Sequence, residues 1–271
     1  MLAAASVLVF LAGVPLFLGS EQTDLYFAWT IAPPLTAAFL GAAYWSSLLM
    51  TVLSLRRGLW ASGRLAVAAI LVVSVLILAA TALHLDRFHL ASPVLVAQLV
   101  AWGWLIVYLV VPPLILIFLV VQLRSRGEDA PRQQPLPLIV RLVLGAQAAV
   151  MLPCGALLFL IPQIAGTIWP WMLTPLTARA IGAWLIGLGT VAALGTSEDD
   201  FDRVSFGLLS SFALGVLELL ALARYPSFVR WNDPATWIYL AMLLSILLVG
   251  AYGLVNMNRR RGQPADVSLA T

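Results

Sequence analysis

Two charged residues, Arg179 and Glu218, stand inside otherwise apolar, helix-length stretches of the sequence. Charged side chains are costly in the hydrocarbon core of a bilayer, so they commonly pair with one another or line a functional site. Each lies four or five residues inside the same end of its predicted helix, and the two helices are consecutive. With a rise of about 1.5 Å per residue they reach nearly equal depth. The spacing predicts an Arg179–Glu218 ion pair that either fixes helix packing or binds a substrate or proton.

The two histidines, His84 and His89, fall in a short polar segment with Asp86 between them. A separation of five residues turns them about 140° apart on a helix, which is wrong for two metal ligands on one helix face. They are either solvated loop residues or, if the loop folds back, an outer-surface metal site with Asp86. A general acid–base site would require these side chains and Glu218 within hydrogen-bond reach of each other or of one substrate.

Tryptophans gather near one set of predicted helix ends, and they are Trp29, Trp169, Trp171, Trp231 and Trp237. An aromatic belt at the membrane interface is the expected role for such residues. Trp169 and Trp171 are also candidates for an aromatic ligand cage. Two neutral polar residues inside predicted helices, Gln98 and Gln147, are explained by hydrogen bonds between helices.

The composition indicates that most of the surface faces lipid. The chain has 271 residues, of which 62% are hydrophobic and only 10% charged, with a mean hydropathy of +1.00. A soluble domain carries about 25% charged residues. The net charge of +3 does not indicate nucleic acid, because the arginines cluster at predicted helix ends. The partner that the composition predicts is the lipid bilayer.

Several kinds of chemistry are excluded by the residues that the sequence lacks. All 15 basic residues are arginine, so no lysine can form a Schiff base with retinal. The single cysteine, Cys154, excludes an internal disulfide and a multi-cysteine metal site. No phosphate-binding glycine loop, zinc motif or serine nucleophile motif occurs. We therefore expect no cofactor and no bound metal, assign no catalytic residue, and favour a protein that is not an enzyme.

One phrase occurs twice, 141 residues apart. Pro34-Leu35-Thr36-Ala37 with Gly41-Ala42 returns as Pro175-Leu176-Thr177-Ala178 with Gly182-Ala183. Ser92-Pro93 and Asp233-Pro234 keep the same offset. The sequence thus predicts an all-α polytopic membrane protein with eight transmembrane helices, arranged as two parallel four-helix repeats. The predicted spans are 1–19, 34–54, 65–83, 93–122, 138–162, 175–195, 204–223 and 234–256.

These spans divide the chain into a first repeat (1–123), a cytoplasmic linker (124–137), a second repeat (138–258) and a basic tail (259–271) that we expect to be disordered. Residues 1–19 are alternatively a cleaved signal peptide, although they lack a basic start and a good cleavage site.

Charge sets the predicted topology. Eleven arginines fall on one side, and they are Arg56, Arg57, Arg64, Arg124, Arg126, Arg132, Arg141, Arg203, Arg259, Arg260 and Arg261. Positive charge is retained in the cytoplasm, so both termini are predicted to be cytoplasmic. The predicted location of the protein is the plasma (inner) membrane of a bacterium. The acidic segment 198–202 does not alter this assignment, because acidic residues contribute little to the rule.

Three functions remain open from the sequence. The first is a small transporter or ligand-binding membrane protein with an outward-facing site, which predicts a polar cavity between the halves that reaches Arg179 and Glu218. The second is a non-catalytic accessory subunit of a membrane complex. The third is a lipid-modifying enzyme of the outer leaflet that uses His84, Asp86, His89 and Glu218. Faces rich in small residues permit a homodimer or another membrane partner.

Overall fold

A computed structural model describes residues 2–57, 60–124, 131–132 and 134–261. Within these ranges the chain is built from helices and short connections, without a β-strand. The α-helices are α1 (Leu2–Gly13), α2 (Thr23–Tyr26), α3 (Pro34–Arg57), α4 (Trp60–Leu83), α5 (Leu95–Arg124), α6 (Leu138–Leu160), α7 (Pro162–Ile168), α8 (Pro175–Glu198), α9 (Phe201–Arg224) and α10 (Pro234–Arg261). A π-helical turn, Val14–Leu18, continues α1, and 3₁₀ turns occur at Leu85–Arg87 and Pro226–Phe228.

Seven of the described helices are long and apolar enough to cross a membrane, namely α3, α4, α5, α6, α8, α9 and α10. They confirm a multi-pass, all-helical membrane protein. The segment predicted as the first span forms a shorter apolar helix, Ser6–Leu18. Helix α1 contains 12 residues and the π-helical turn that continues it contains 5. They therefore rise about 25 Å, less than the ~30 Å of a bilayer core.

The bounds of four central helices keep the offset of the repeated phrase. Helices α3 and α8 begin at Pro34 and Pro175 and are both 24 residues long. Helices α4 and α9 begin at Trp60 and Phe201 and are also both 24 residues long. Each of these two helices in the second half thus starts and ends 141 residues after its counterpart. Contacts between the halves join α3 to α9 and α4 to α8. Since α3 corresponds to α8 and α4 to α9, the two contacts are equivalent under the offset.

The repeated glycine allows a neighbouring backbone to approach in each half. A Cβ atom at Gly41 would lie 2.6 Å from the Phe17 amide nitrogen, and one at Gly182 would lie 2.6 Å from the Gly155 carbonyl oxygen. Real Cβ atoms do not come this close to backbone atoms, so only glycine fits. The π-helical turn after α1 therefore packs on α3, and α6 packs on α8, at a distance that a larger residue would increase.

The described part of the predicted disordered tail is helical, and the described part of the linker contacts the turn between α8 and α9. Helix α10 runs to Arg261, so the predicted tail begins as helix, and Arg260 lies 4.2 Å over the Phe201 ring. The backbone N–H of the linker residue Gln134 donates to the Asp200 carboxylate at 3.0 Å. Residues 125–130, 133 and 262–271, also parts of those predictions, lie outside the described residues.

Candidate functional site

The predicted ion pair between Arg179 and Glu218 does not form. The Arg179 Nη1 atom donates to His84 Nε2 at 2.6 Å, whereas Glu218 Oε2 accepts from the Tyr239 hydroxyl at 3.1 Å. The reason is helix arrangement: α8 packs mainly on α4 and α6, and α9 packs mainly on α3 and α10. Side chains at equal depth on consecutive helices therefore point toward different neighbours.

The Arg179–His84 hydrogen bond requires a neutral histidine. Because the guanidinium donates, His84 Nε2 must accept, and its proton stands on Nδ1. Partial burial and the Arg179 charge lower the pKa of His84 from its ordinary value of 6.5, with Asp86 acting in the opposite direction. The bond connects the turn after α4 with α8, and so joins the two halves of the chain at this end.

Acidification should weaken this link. Since the folded state lowers the pKa of His84, the stabilisation is complete above pH 6.5 and is lost as the pH falls below that value. We expect the melting temperature in detergent to drop by a few degrees between pH 7.5 and 5.5. His84→Gln, whose amide oxygen still accepts from Arg179, should flatten this slope. His89→Gln is the control and should keep the wild-type slope; equal slopes in all three proteins would contradict the assignment.

His89 and Asp86 make separate contacts. His89 donates from Nδ1 to the Phe27 carbonyl at 2.9 Å, and its Nε2 atom shares a hydrogen bond of 3.0 Å with the Thr30 hydroxyl. Asp86 forms an exposed ion pair with the adjacent Arg87 at 3.0 Å. Within the described residues no group of three or more His, Cys, Asp or Glu could hold a metal ion. The four residues of the predicted enzyme site thus share no hydrogen bond in the described part of the chain.

Trp169 and Trp171 lie beside Glu218 rather than in an interfacial belt. They are 4% and 0% exposed, and their rings are 5.2 Å apart. Tyr239 stacks edge-on against both, at 5.7 and 5.5 Å, and the same Tyr239 donates to Glu218. The belt prediction is wrong for these two tryptophans and for Trp29, which are all buried in the core. It fits Trp231 and Trp237, which are exposed.

A cavity of about 110 Å³ reaches this cluster. We call it the Glu218 cavity; it lies among α6, α8, α9 and α10, with Phe39, Trp169 and Tyr239 on its wall. Glu218 is 2% exposed, and its Oε1 atom has no hydrogen-bond partner among the described residues. The Trp169 indole N–H is likewise buried without a partner there. Two residues of the cavity wall thus each carry a buried polar atom without a partner among the described residues, an oxygen on Glu218 and an N–H group on Trp169.

A second cavity of about 60 Å³ lies between the two halves. We call it the serine cavity, after Ser46, Ser47, Ser210 and Ser211 on its wall. Gln147 also lines it and donates to Ser245 at 3.0 Å, which confirms the predicted bond between helices. The serine cavity does not reach Glu218, and Arg179 lines neither cavity. Neither of these two cavities is the predicted one, which lies between the halves and reaches both Arg179 and Glu218.

The two cavities are neighbours along the helix axes. Four apolar residues line both of them, and these are Met151, Leu188, Leu214 and Ile246. Helix α9 contributes Ser210 and Ser211 to the serine cavity and Glu218 to the Glu218 cavity. At a rise of 1.5 Å per residue, Glu218 lies about 12 Å along the helix from Ser210. A thin apolar partition thus separates the cavities.

The opposite end carries an ion-pair cluster that the sequence analysis missed. The end of α8, the turn that follows it and the start of α9 supply Glu198, Asp199, Asp200 and Asp202. Around it stand arginines of five helices, in the pairs Glu198–Arg64, Glu198–Arg203, Asp199–Arg141, Asp202–Arg57 and Asp202–Arg260. We call this the acidic turn. The available signal was the surplus of arginine predicted on the same side of the membrane as this segment.

The fold defines an all-helical, multi-pass membrane protein with a buried carboxyl group in a cavity between its helices. Comparison with models of protein families, with curated proteins and with solved structures finds no match to this chain.

Proposed function

We propose that the protein is a small membrane transporter whose binding site is the Glu218 cavity. The observation that carries the proposal is the buried Glu218 carboxyl group, one oxygen of which has no partner in the described part of the chain. This group lines a cavity that adjoins a second one. An intramembrane ionisable group is costly and marks a binding or proton site by default. A carboxyl group that served packing alone would be expected to use both of its oxygens.

The serine cavity supports a path rather than a closed pocket. It lies on the interface between the halves, where α3 meets α9 and α4 meets α8, and it is lined by hydroxyl groups. Only the partition separates it from the Glu218 cavity. All four partition residues belong to α6, α8, α9 and α10 of the second half, so a continuous path between the cavities requires movement among these helices.

Water access to each cavity tests the proposal without knowledge of the substrate. Cys154 lines the Glu218 cavity and is the single cysteine of the chain. Ser211→Cys, in a Cys154→Ser background, reports on the serine cavity. We expect charged, membrane-impermeant methanethiosulfonate reagents to label Cys154 from the side opposite the acidic turn. The same reagents should label the Ser211→Cys variant from the side of the acidic turn.

Vesicles of both orientations provide the control, because each thiol should react from one side only. Leu99→Cys, in the Cys154→Ser background, is a matched site on an exposed apolar face of α5 and should stay unlabelled if that face meets lipid. If neither Cys154 nor the Ser211→Cys variant reacts with a charged reagent, the cavities are closed to water. The accessory-subunit function would then be favoured over transport.

The proposal includes eight spans, two parallel repeats and cytoplasmic termini. Its support is the common offset of the helix bounds and the exchange of the α3–α9 and α4–α8 contacts under that offset. The arginines of the acidic-turn cluster favour a cytoplasmic location for that end by the positive-inside rule. Under this topology the Glu218 cavity lies toward the outer leaflet of the membrane.

A further inference from the structure

The Glu218 carboxyl group has no ion-pair partner within the described part of the chain. Its hydrogen bond comes from the neutral Tyr239 hydroxyl, and Arg179, the arginine predicted to pair with it, binds His84 instead. A carboxylate in apolar surroundings is stable only when a proton, a hydrogen-bond donor or a cation accompanies it. The buried Oε1 atom has no hydrogen-bond partner among the described residues, and Glu218 lines a cavity from which such a partner could come.

The rings around Glu218 favour an organic cation. Phe39, Trp169 and Tyr239 line the cavity, and Phe39 meets Trp169 edge-on at 5.9 Å. Aromatic faces attract alkylammonium groups, and an adjacent carboxylate adds a full negative charge. An anion would be repelled by the same groups if Glu218 is ionised.

Other ligand classes lack partners on this wall. Hard metal ions take six or more oxygen ligands, whereas the side chains that line the cavity supply only the Glu218 carboxyl and the Tyr239 hydroxyl as oxygens. A sugar would leave most of its hydroxyl groups unpaired against the remaining apolar residues. The N-alkyl groups of an ammonium compound, in contrast, need only apolar contact.

The volume of the cavity and the exposure of its wall limit which ligands fit. A cavity of about 110 Å³ is somewhat smaller than the ~150 Å³ cavity that accepts benzene, so it suits a group of trimethylammonium size. Three lining residues are exposed, Ile238 at 66%, Val150 at 46% and Ile168 at 38%. They lie on α10, α6 and α7, so this part of the cavity wall also forms the outer surface of the bundle.

We infer that the Glu218 cavity binds the ammonium group of an alkylamine or alkylammonium compound, with its charge against Glu218 and its N-alkyl groups against Phe39, Trp169 and Tyr239. The inference rests on the proposed function, to which it adds the substrate class. The ammonium group belongs either to a free amphiphilic amine or to a lipid headgroup.

Choline and 3,3-dimethylbutan-1-ol test the inference, because they share one shape and differ in the charge of a single atom. The readout is protection of Cys154 from N-ethylmaleimide in nanodiscs of phosphatidylglycerol, a lipid without an ammonium group. We expect choline to protect Cys154 and the alcohol to require at least about tenfold higher concentration. Equal protection by the two compounds would overturn the inference.

Variants assign the effect to the cavity. Glu218→Gln should raise the half-protecting choline concentration at least about tenfold, since it removes the buried charge. Trp169→Leu should raise it about 3- to 30-fold by removing one ring. The matched control is Trp237→Leu, which removes a tryptophan that is 61% exposed and outside the cavity wall, and it should have no effect. Unchanged protection in a folded Glu218→Gln protein contradicts the inference.

Further outcomes distinguish a lipid headgroup from a free amine as the ligand, and failure of the ammonium inference from failure of the transport proposal. Addition of phosphatidylethanolamine should raise the choline requirement if the natural ligand is a lipid headgroup, and should leave it unchanged if the ligand is a free amine. Protection of Cys154 by gluconate or glucose instead of choline would refute the ammonium class and leave the proposed binding site standing. Failure of charged reagents to reach either cavity would remove transport itself.

Discussion

Glu198→Gln is expected to lower the free energy of unfolding by about 2–4 kcal/mol, because its carboxylate contacts two arginines in a mostly buried setting. The Glu198 side chain is 10% exposed, and its partners Arg64 and Arg203 are 25% and 10% exposed. Arg64 belongs to α4 and Arg203 to α9, so the change loosens contact between the halves. Thermal unfolding in detergent measures the effect.

Asp202→Asn is the matched control for this prediction. Asp202 also contacts two arginines, Arg57 and Arg260, but these side chains are 34% exposed and Asp202 is 37% exposed. Exposed ion pairs contribute about 0–1 kcal/mol, since water screens them. Equal destabilisation by the two variants would show that burial does not set the strength of these pairs.

Gly182→Ala should destabilise the protein by about 1–3 kcal/mol or more, although alanine favours helix. The added Cβ would lie 2.6 Å from the Gly155 carbonyl oxygen and 2.9 Å from the Phe159 amide nitrogen. Neither backbone atom can move unless α6 and α8 separate. Both helices wall the Glu218 cavity, so we also expect faster labelling of Cys154 in this variant.

Gly103→Ala reports the effect of helix propensity alone. Nothing lies within 4 Å of a Cβ atom at Gly103, which stands in the interior of α5. Alanine there should leave the melting temperature unchanged or raise it, because glycine costs up to ~1 kcal/mol in a helix. A similar loss in Gly103→Ala and Gly182→Ala would mean that close packing of α6 on α8 is not the cause.

The two ends of the bundle are held together differently, which bears on the proposed transport. At one end the acidic turn gathers charged groups from five helices. At the other, the links between the halves include the Arg179–His84 bond and a bond from the Trp171 indole to the Thr36 hydroxyl at 2.9 Å. In the proposed cycle, opening toward the acidic turn must break ion pairs, whereas opening at the other end breaks fewer charged contacts. Substitutions of Glu198 should therefore raise labelling of the Ser211→Cys thiol.

The sequence by itself determined where seven of the helices lie and marked Glu218 as unusual. Hydropathy is averaged over about 20 residues, so a long apolar segment predicts a membrane-spanning helix without information about its neighbours. The offset of 141 residues also predicted that helices of the two halves start at matching positions, as α3 and α8 do at Pro34 and Pro175. A charged residue inside such a run is visible without any knowledge of its neighbours.

Only the tertiary structure decided which side chains meet. Arg179 and Glu218 have equal depth on consecutive helices, yet one binds His84 and the other Tyr239. Tyr239 and Phe39 carried no sequence signal, because aromatic residues in a span look like ordinary core. The partners of a helix face depend on how each helix is rotated and which helices surround it. Those quantities arise from packing of the whole bundle, and no local pattern of residues contains them.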